Sequence, residues 1–325
     1  PCPERCQMNG TIAVRRETKS PLERRTPITP DLVGRLVKGS GVEVLIQPSA
    51  RRVFPDNEYV RAAATMAENL ADSKVILGVK EIPPEFFQPN TTNVFFSHDI
   101  KGQPYYMPMV ANLLELGCTL IDYEKICDKA GKRLIFFGRF AGLAGMIDSL
   151  WALGQRLRRE GFPTPLASIE QASEYESLHD AKVAIRKAGE RIASEGLPSE
   201  LTPLTVGVAG YGNVASGVRE ILSELPTREV QPGNLAFTFE DASQHCLYQT
   251  TFREEDLVDS NDGRGFELQD YYDHPEGYRS VFGQYLPQLT VLMNCNYWDE
   301  RYPRLVTKEQ LRAMWSVDTC LLYTT

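Results

Sequence analysis

One stretch limits the fold more than any other. Leu204-Thr-Val-Gly-Val-Ala209 is an apolar run of strand length, and it leads straight into Gly210-Tyr-Gly212-Asn-Val-Ala215. An amphipathic helical run, 218–225, follows at once. In a strand–turn–helix of this kind Gly210 allows the tight turn and Gly212 lets backbone come close to a pyrophosphate. The third small residue, Ala215, sits where helix must meet strand. The open amides at the helix start, from Asn213 and Val214 onward, suit an anion. The pattern predicts a dinucleotide site on a parallel α/β sheet; the plainer alternative is a βα turn that merely uses glycine.

The same rhythm fills the first 140 residues. Predicted strands at 11–15, 42–46, 74–79, 93–97, 119–123 and 133–137 are rich in Val, Ile, Leu and Phe, as doubly covered parallel strands are. Helices are expected between them: one opening at Thr29-Pro30 and stopped by Gly39 and Gly41, one over 57–70 and one over 105–116. Two long helices, 142–159 and 174–193, read as connectors. The βα pattern resumes at Leu204, with further strands expected at 228–231, 245–252 and 289–293 and an exposed, mobile insertion over 253–273. The expected fold is therefore α/β: two Rossmann-like lobes with parallel sheets, joined by long helices, with a cleft between them. Lobe boundaries fall at 11–140, 141–200 and 201–325.

Composition removes other classes. The chain is 42% hydrophobic and has a net charge of −8 (35 basic against 43 acidic residues), with no basic stripe, which argues against a nucleic-acid partner. No apolar run reaches the roughly 18 residues that cross a bilayer. Seven scattered cysteines read as free thiols in an intracellular, reducing compartment, cytoplasmic or mitochondrial matrix. Cys2 and Cys6 have metal-like spacing but no partner pair, so no metal is expected. The chain opens at Pro1 without Met and reads as a fragment.

Two ionisable groups close successive first-lobe strands: Lys80 after 74–79 and His98 after 93–97. Ligands of open α/β sheets sit outside the carboxyl ends of strands, so both would face one crevice. A lysine desolvated there loses ammonium solvation and becomes suited to proton transfer. Arg15, Arg16, Arg24 and Arg25 cluster in the loop after the first strand and suit carboxylate capture, or else form a solvated basic loop. In the nucleotide lobe the expected second strand ends in Gln231 rather than an acid. That favours NADP over NAD, with Arg228 as the candidate for the 2′-phosphate.

Several strings then become familiar. Val14-Arg-Arg-Glu-Thr-Lys-Ser-Pro-Leu-Glu-Arg-Arg25-Thr-Pro and Gly78-Val-Lys80-Glu-Ile-Pro-Pro resemble the alanine dehydrogenase/transhydrogenase N-terminal fold. Phe95-Phe-Ser-His98-Asp-Ile-Lys-Gly-Gln103, Leu120-Ile-Asp-Tyr-Glu-Lys125 and Phe137-Gly-Arg-Phe-Ala-Gly-Leu-Ala-Gly145 are similar to the saccharopine dehydrogenase branch. Gly210-Tyr-Gly-Asn-Val and Tyr297-Trp-Asp-Glu-Arg-Tyr-Pro-Arg-Leu-Val-Thr307 resemble the lysine-ketoglutarate reductase half of the bifunctional α-aminoadipic semialdehyde synthases. The resemblance implies reversible reductive condensation of L-lysine with 2-oxoglutarate to saccharopine, using NADP or alternatively NAD. It implies Lys80 as general base and His98 as general acid. Arg25, Gln103 and Phe137 would hold substrate; Arg133, Gly210, Gly212 and Cys295 would serve the cofactor. A saccharopine-oxidising domain fused in the full-length product is a further implication. The competing readings are an alanine dehydrogenase-like amino-acid dehydrogenase and an inactive nucleotide-binding remnant. Residues 314–325 do not match the Asp-bearing final strand that the resemblance implies, so they read as a stray tail and leave the last sheet incomplete.

Overall fold

The computed structural model describes residues 10–100, 102–315 and 322–324; the Cys2/Cys6 pair lies outside them. The chain forms two compact units, one ending at Phe136 and the other beginning at Phe137.

The first unit is a six-stranded, all-parallel sheet in the order β3-β2-β1-β4-β5-β6. Its strands are β1 (Thr11–Val14), β2 (Glu43–Ile46), β3 (Thr65–Met66), β4 (Val75–Leu77), β5 (Thr92–Phe95) and β6 (Thr119–Asp122). The helices α1 (Pro30–Ser40), α2 (Asp56–Arg61) and α3 (Met107–Glu115) cover it. Residue types set the ends of α1: Thr29 Oγ1 accepts the Leu32 amide, Pro30 opens the first turn, and Gly41 closes it at φ 66°. Alternate side chains of the strands feed two cores. Val14, Val44 and Ile46 pack with Val33 and Tyr59 on one face; Ala13, Ile76 and Phe95 pack with Met109 and Leu113 on the other.

Two expectations fail here. The helix expected over 57–70 stops at Arg61, because Ala63 turns into the left-handed region (φ 69°) and Thr65–Met66 pairs with β2 instead. Sheet pairing overrides the helical preference of the alanines. Residues 133–137 form no strand; Arg133 makes only one bridge, to Cys127.

The second unit begins with α4 (Gly138–Arg159) and α5 (Leu178–Glu195), the two helices read as connectors. Both lie inside its core, their Leu150, Leu153 and Ile185 fully buried beside Val206 and Val208 of the sheet. That sheet is five-stranded, in the order β13-β12-β7-β9-β8. It comprises β7 (Thr205–Ala209), β8 (Thr227–Glu229), β9 (Leu247–Phe252), β12 (Val291–Asn294) and β13 (Leu322–Thr324), all parallel. Helix α6 (Asn213–Leu222) follows β7.

Glycine decides how closely α4 and α6 pack. A Cβ on Gly142 would lie 1.9 Å from the Val214 carbonyl oxygen, and one on Gly217 would lie 2.1 Å from that of Arg139. Around this contact Arg139 donates twice to Glu220, which also binds Lys182 at 2.8 Å, tying α4, α5 and α6 together.

Residues 253–273, expected to be a mobile insertion, are built into a small subdomain: α7 (Glu254–Leu257), β10 (Val258–Ser260) and α8 (Leu268–Asp273), with β11 (Tyr278–Ser280) pairing antiparallel to β10. Tyr271, Tyr278 and Phe282 are buried together with Phe252. Aromatic residues spaced between the acids supply the core that the acidic composition hides. The stray-tail expectation also fails for 322–324, whose backbone pairs with β12 and extends the sheet. Helix α9 (Lys308–Trp315) precedes that strand. Among the described residues no helix is long and apolar enough to cross a membrane.

Candidate active site

In the first unit the strand order turns outward in both directions from β1 and β4. A crevice at the carboxyl ends of those two strands is where such sheets take ligands. The residues found there are chemical ones. After β1 the chain runs Arg15-Arg16-Glu17; after β4 it runs Gly78-Val79-Lys80-Glu81. Glu17, buried, accepts the Val79 amide at 2.8 Å and the Lys80 amide at 3.1 Å, so one carboxylate ties the two strand ends together. Burial raises its pKa above the usual carboxylate value, against the pull of those two amides. Lys80 emerges half-buried from this clamp.

His98 follows β5 and adopts φ 55°, a left-handed conformation unusual for a residue with a side chain. Such strain persists only where neighbours enforce it. The neighbours are visible: Ser97 Oγ, fully buried, lies 2.6 Å from both Asp122 Oδ2 and Asp99 Oδ1. The imidazole has a carboxylate on each side, Glu81 at 3.9 Å from Nε2 and Glu124 at 3.8 Å from Nδ1. Each is a little beyond hydrogen-bond range, so a tightening of about 1 Å would engage both nitrogens. Lys19 reaches Glu81 at 3.6 Å, and Arg133 reaches Glu124 at 3.3 Å while lying over Phe96. Tyr123, beside Phe96, has its phenol pushed up to about 12 by burial and then by the Glu17 charge, so it stays protonated.

Arg25 is paired with Glu23 through Nε (2.8 Å) and Nη2 (2.6 Å), so an incoming carboxylate would compete with Glu23 for that fork. Gln103 is exposed in the loop before α3. Phe137 stands at the start of α4, 41% exposed, in the second unit. The structure thus brings His98 and Arg133 into one charged cluster through Glu124, while Lys80 is tied by its amide to Glu17. It adds Glu17, Lys19, Glu81 and Glu124, which were not singled out from sequence. Glu81 and Glu124 stand only one and two residues past groups already noted, Lys80 and the end of β6. That adjacency was the available signal.

In the second unit the glycine turn leaves its backbone open. Gly210 has φ 105°, and a Cβ there would lie 2.4 Å from Asn296 Oδ1. Above Gly212 no atom lies within 4 Å of a Cβ position, leaving backbone open to a ligand. Gly212 is also the N-cap of α6 and offers no side chain, so the first amides, from Asn213 and Val214 on, keep their donors for an anion. Cys295 lies at the end of β12, its amide bound to the Ala209 carbonyl at 2.9 Å. Burial pushes its thiol up to about 11, against the lowering effect of Arg219. Arg228 lies on β8, the outermost strand on its side, with β9 between it and β7. β8 therefore does not adjoin the strand of the glycine turn, and the 2′-phosphate role expected for Arg228 loses its basis.

The family described as alanine dehydrogenase/PNT, N-terminal domain, matches residues 13–144. The chain is 38% identical to alpha-aminoadipic semialdehyde synthase of Arabidopsis thaliana, over 94% of its own length and 30% of that protein's. It is likewise 38% identical to the mitochondrial synthase of Bos taurus, covering 94% of this chain and 33% of the relative. Saccharopine dehydrogenase (NAD(+), L-lysine-forming) of Neurospora crassa is 30% identical, over 74% of this chain and 66% of that one. The chain belongs to the saccharopine dehydrogenase family. It spans about a third of the length of the synthases it matches. An L-alanine dehydrogenase structure shares the fold, with a TM-score of 0.55 at 16% identity, covering 93% of this chain and 70% of that one.

Proposed function

We propose that this chain catalyses the reversible reductive condensation of L-lysine with 2-oxoglutarate to saccharopine, preferring NADPH to NADH. The observation that carries this reading is at the strand ends of the first unit, where Glu17 holds the Lys80 amide and the His98 imidazole stands between Glu81 and Glu124. Lys80 takes a proton from the lysine ε-ammonium, freeing the amine to attack the ketone carbon. His98 donates a proton to the departing hydroxyl so that water leaves and the imine forms. Glu81 and Glu124, drawn in by about 1 Å, would hold the ring in place for that transfer. Arg25 and Gln103 take substrate polar groups, Phe137 packs on substrate and Arg133 serves the cofactor; these roles are carried from the family resemblance. The nicotinamide, bound through Gly210, Gly212, Asn213 and Val214 with Cys295 nearby, would supply the hydride that reduces the imine.

The identity to proteins named alpha-aminoadipic semialdehyde synthase and saccharopine dehydrogenase supports the substrate pair. The share of those relatives left uncovered supports a saccharopine-oxidising domain in the full-length product. Relatives named as mitochondrial favour the matrix as the compartment. The test is NADPH oxidation, followed by absorbance, with lysine plus 2-oxoglutarate and separately with pyruvate plus ammonia. Turnover only with the first pair is expected. Turnover with pyruvate and ammonia would instead assign an alanine dehydrogenase activity, and none with either pair would mean an inactive nucleotide-binding remnant.

A further inference from the structure

In a dinucleotide fold the ribose 2′ position is met at the end of the strand beside the glycine-turn strand. Chain order suggests β8 for that place, but the sheet puts β9 there. Ala209 of β7 stands in register with Phe252 of β9, and the Gly210 amide donates to the Phe252 carbonyl at 2.9 Å. The residue that leaves the sheet immediately after Phe252 is Arg253.

Arg253 has features suited to an anion. It is exposed, and among the described residues its guanidinium makes no ion pair. Its Cζ lies 5.1 Å from the ring centre of Tyr211, the middle residue of the Gly-Tyr-Gly turn. An aromatic face beneath a guanidinium orders the long side chain before a ligand arrives and leaves the planar edge of the fork for oxygen atoms. The next residue, Glu254, is the acid that could instead serve a ribose hydroxyl. Its carboxylate accepts the Tyr272 hydroxyl at 2.9 Å and approaches that of Tyr211 at 3.5 Å, so phenols already occupy it. One side of the turn thus offers a cation, and the neighbouring acid is held by tyrosines.

We propose that Arg253, seated on Tyr211, binds the 2′-phosphate of NADP(H) and is the residue that sets the preference over NAD(H). The inference rests on the dinucleotide reading and names the group within that site that discriminates. Arg228, assigned this task on chain order, has no part in it, because β9 separates its strand from the turn.

Calorimetric titration of the 325-residue chain with 2′,5′-ADP and with 5′-AMP tests this without turnover. The wild-type chain should bind 2′,5′-ADP about tenfold or more tightly than 5′-AMP, as a charge-assisted guanidinium–phosphate pair would give. Arg253→Ala should bring the two affinities together by weakening only 2′,5′-ADP. Arg253→Lys should keep part of the preference, and Arg228→Ala all of it. An unfolded Arg253→Ala chain would show in its melting curve, and the Lys and Arg228 variants then carry the test. Equal binding of both nucleotides by wild type, or a preference that survives Arg253→Ala, overturns the inference while leaving the dinucleotide reading intact. If wild type binds neither nucleotide, the dinucleotide reading falls and this inference with it.

Discussion

The two units build the same thing, a parallel sheet with a candidate site at its strand ends, through different strand orders. In the first unit the chain lays down β1, β2 and β3 outward to one edge and then β4, β5 and β6 outward to the other. Apart from the step from β3 to β4, which returns to the side of β1, successive strands are spatial neighbours. In the second, β8 goes to the edge first and β9 is then inserted between it and β7. In the second unit β8 is thereby displaced from the place beside β7 that chain order would give it. The difference matters because the group beside a glycine turn depends on spatial order alone.

The proposed function puts proton transfer in the first unit and nucleotide binding in the second, and that division breaks most easily at Lys80. Lys80→Met should lower kcat by about 10²–10⁴-fold, the usual contribution of a positioned proton-transfer group. Nucleotide affinity, measured by calorimetry, should stay within about twofold, since no part of the glycine turn is altered. Wild-type turnover in the variant removes Lys80 from the mechanism, and a matching loss of nucleotide binding merges the two roles assigned here.

Next in size is a stability difference confined to the second unit. Gly142→Ala places a methyl group 1.9 Å from the Val214 carbonyl, so α4 and α6 must separate. Overpacking of this kind costs about 1–3 kcal/mol, and it should weaken nucleotide binding by displacing the start of α6. Calorimetric unfolding should show the second unit melting earlier with the first unchanged. An unaltered melting curve would mean that the helix contact is looser than the structure shows.

The first unit has its own pH signature. The folded-state pKa of Glu17 is raised by burial, so its contribution to stability is full below the ordinary carboxylate range and is lost as pH rises through the raised value. Glu17→Gln does not titrate there and should flatten that slope in urea unfolding followed across acidic pH. If wild type and variant share one slope, Glu17 is not a buried acid.

The smallest effect concerns thiols. With its pKa pushed up to about 11, Cys295 has a thiolate fraction of only about 10⁻³ at pH 8. Iodoacetamide should therefore label the exposed Cys127 well before Cys295, as read by peptide mass mapping. Faster labelling of Cys295 would contradict the burial that raises its thiol pKa.

What sequence could supply follows from the same comparison. Lys80 and His98 were legible because each closes a strand whose apolar run is unmistakable, and Gly210 and Gly212 because the turn's conformational demands leave few alternatives. Glu81 and Glu124 went unnoticed since a lone carboxylate next to a motif looks like any solvated acid; only the fold brings both to His98. Residues 253–273 look like an exposed insertion because their acidic composition masks the spacing of Phe266 and Tyr271, which make a core with Tyr278 once β10 and β11 pair. Arg253 was invisible for a topological reason: nothing local in 227–252 says which strand will lie beside β7.

The reaction itself can be tested through the hydride. The 325-residue chain would be incubated with lysine, 2-oxoglutarate and NADPH carrying deuterium at the transferable position of the nicotinamide, and the product analysed by mass spectrometry. Saccharopine carrying a single deuterium, on the carbon that was the ketone of 2-oxoglutarate, is the expected result, with about a hundredth of that amount or less formed by Lys80→Met over the same time. Deuterium in alanine when pyruvate and ammonia are supplied, or no labelled product from either pair, would contradict the proposed function.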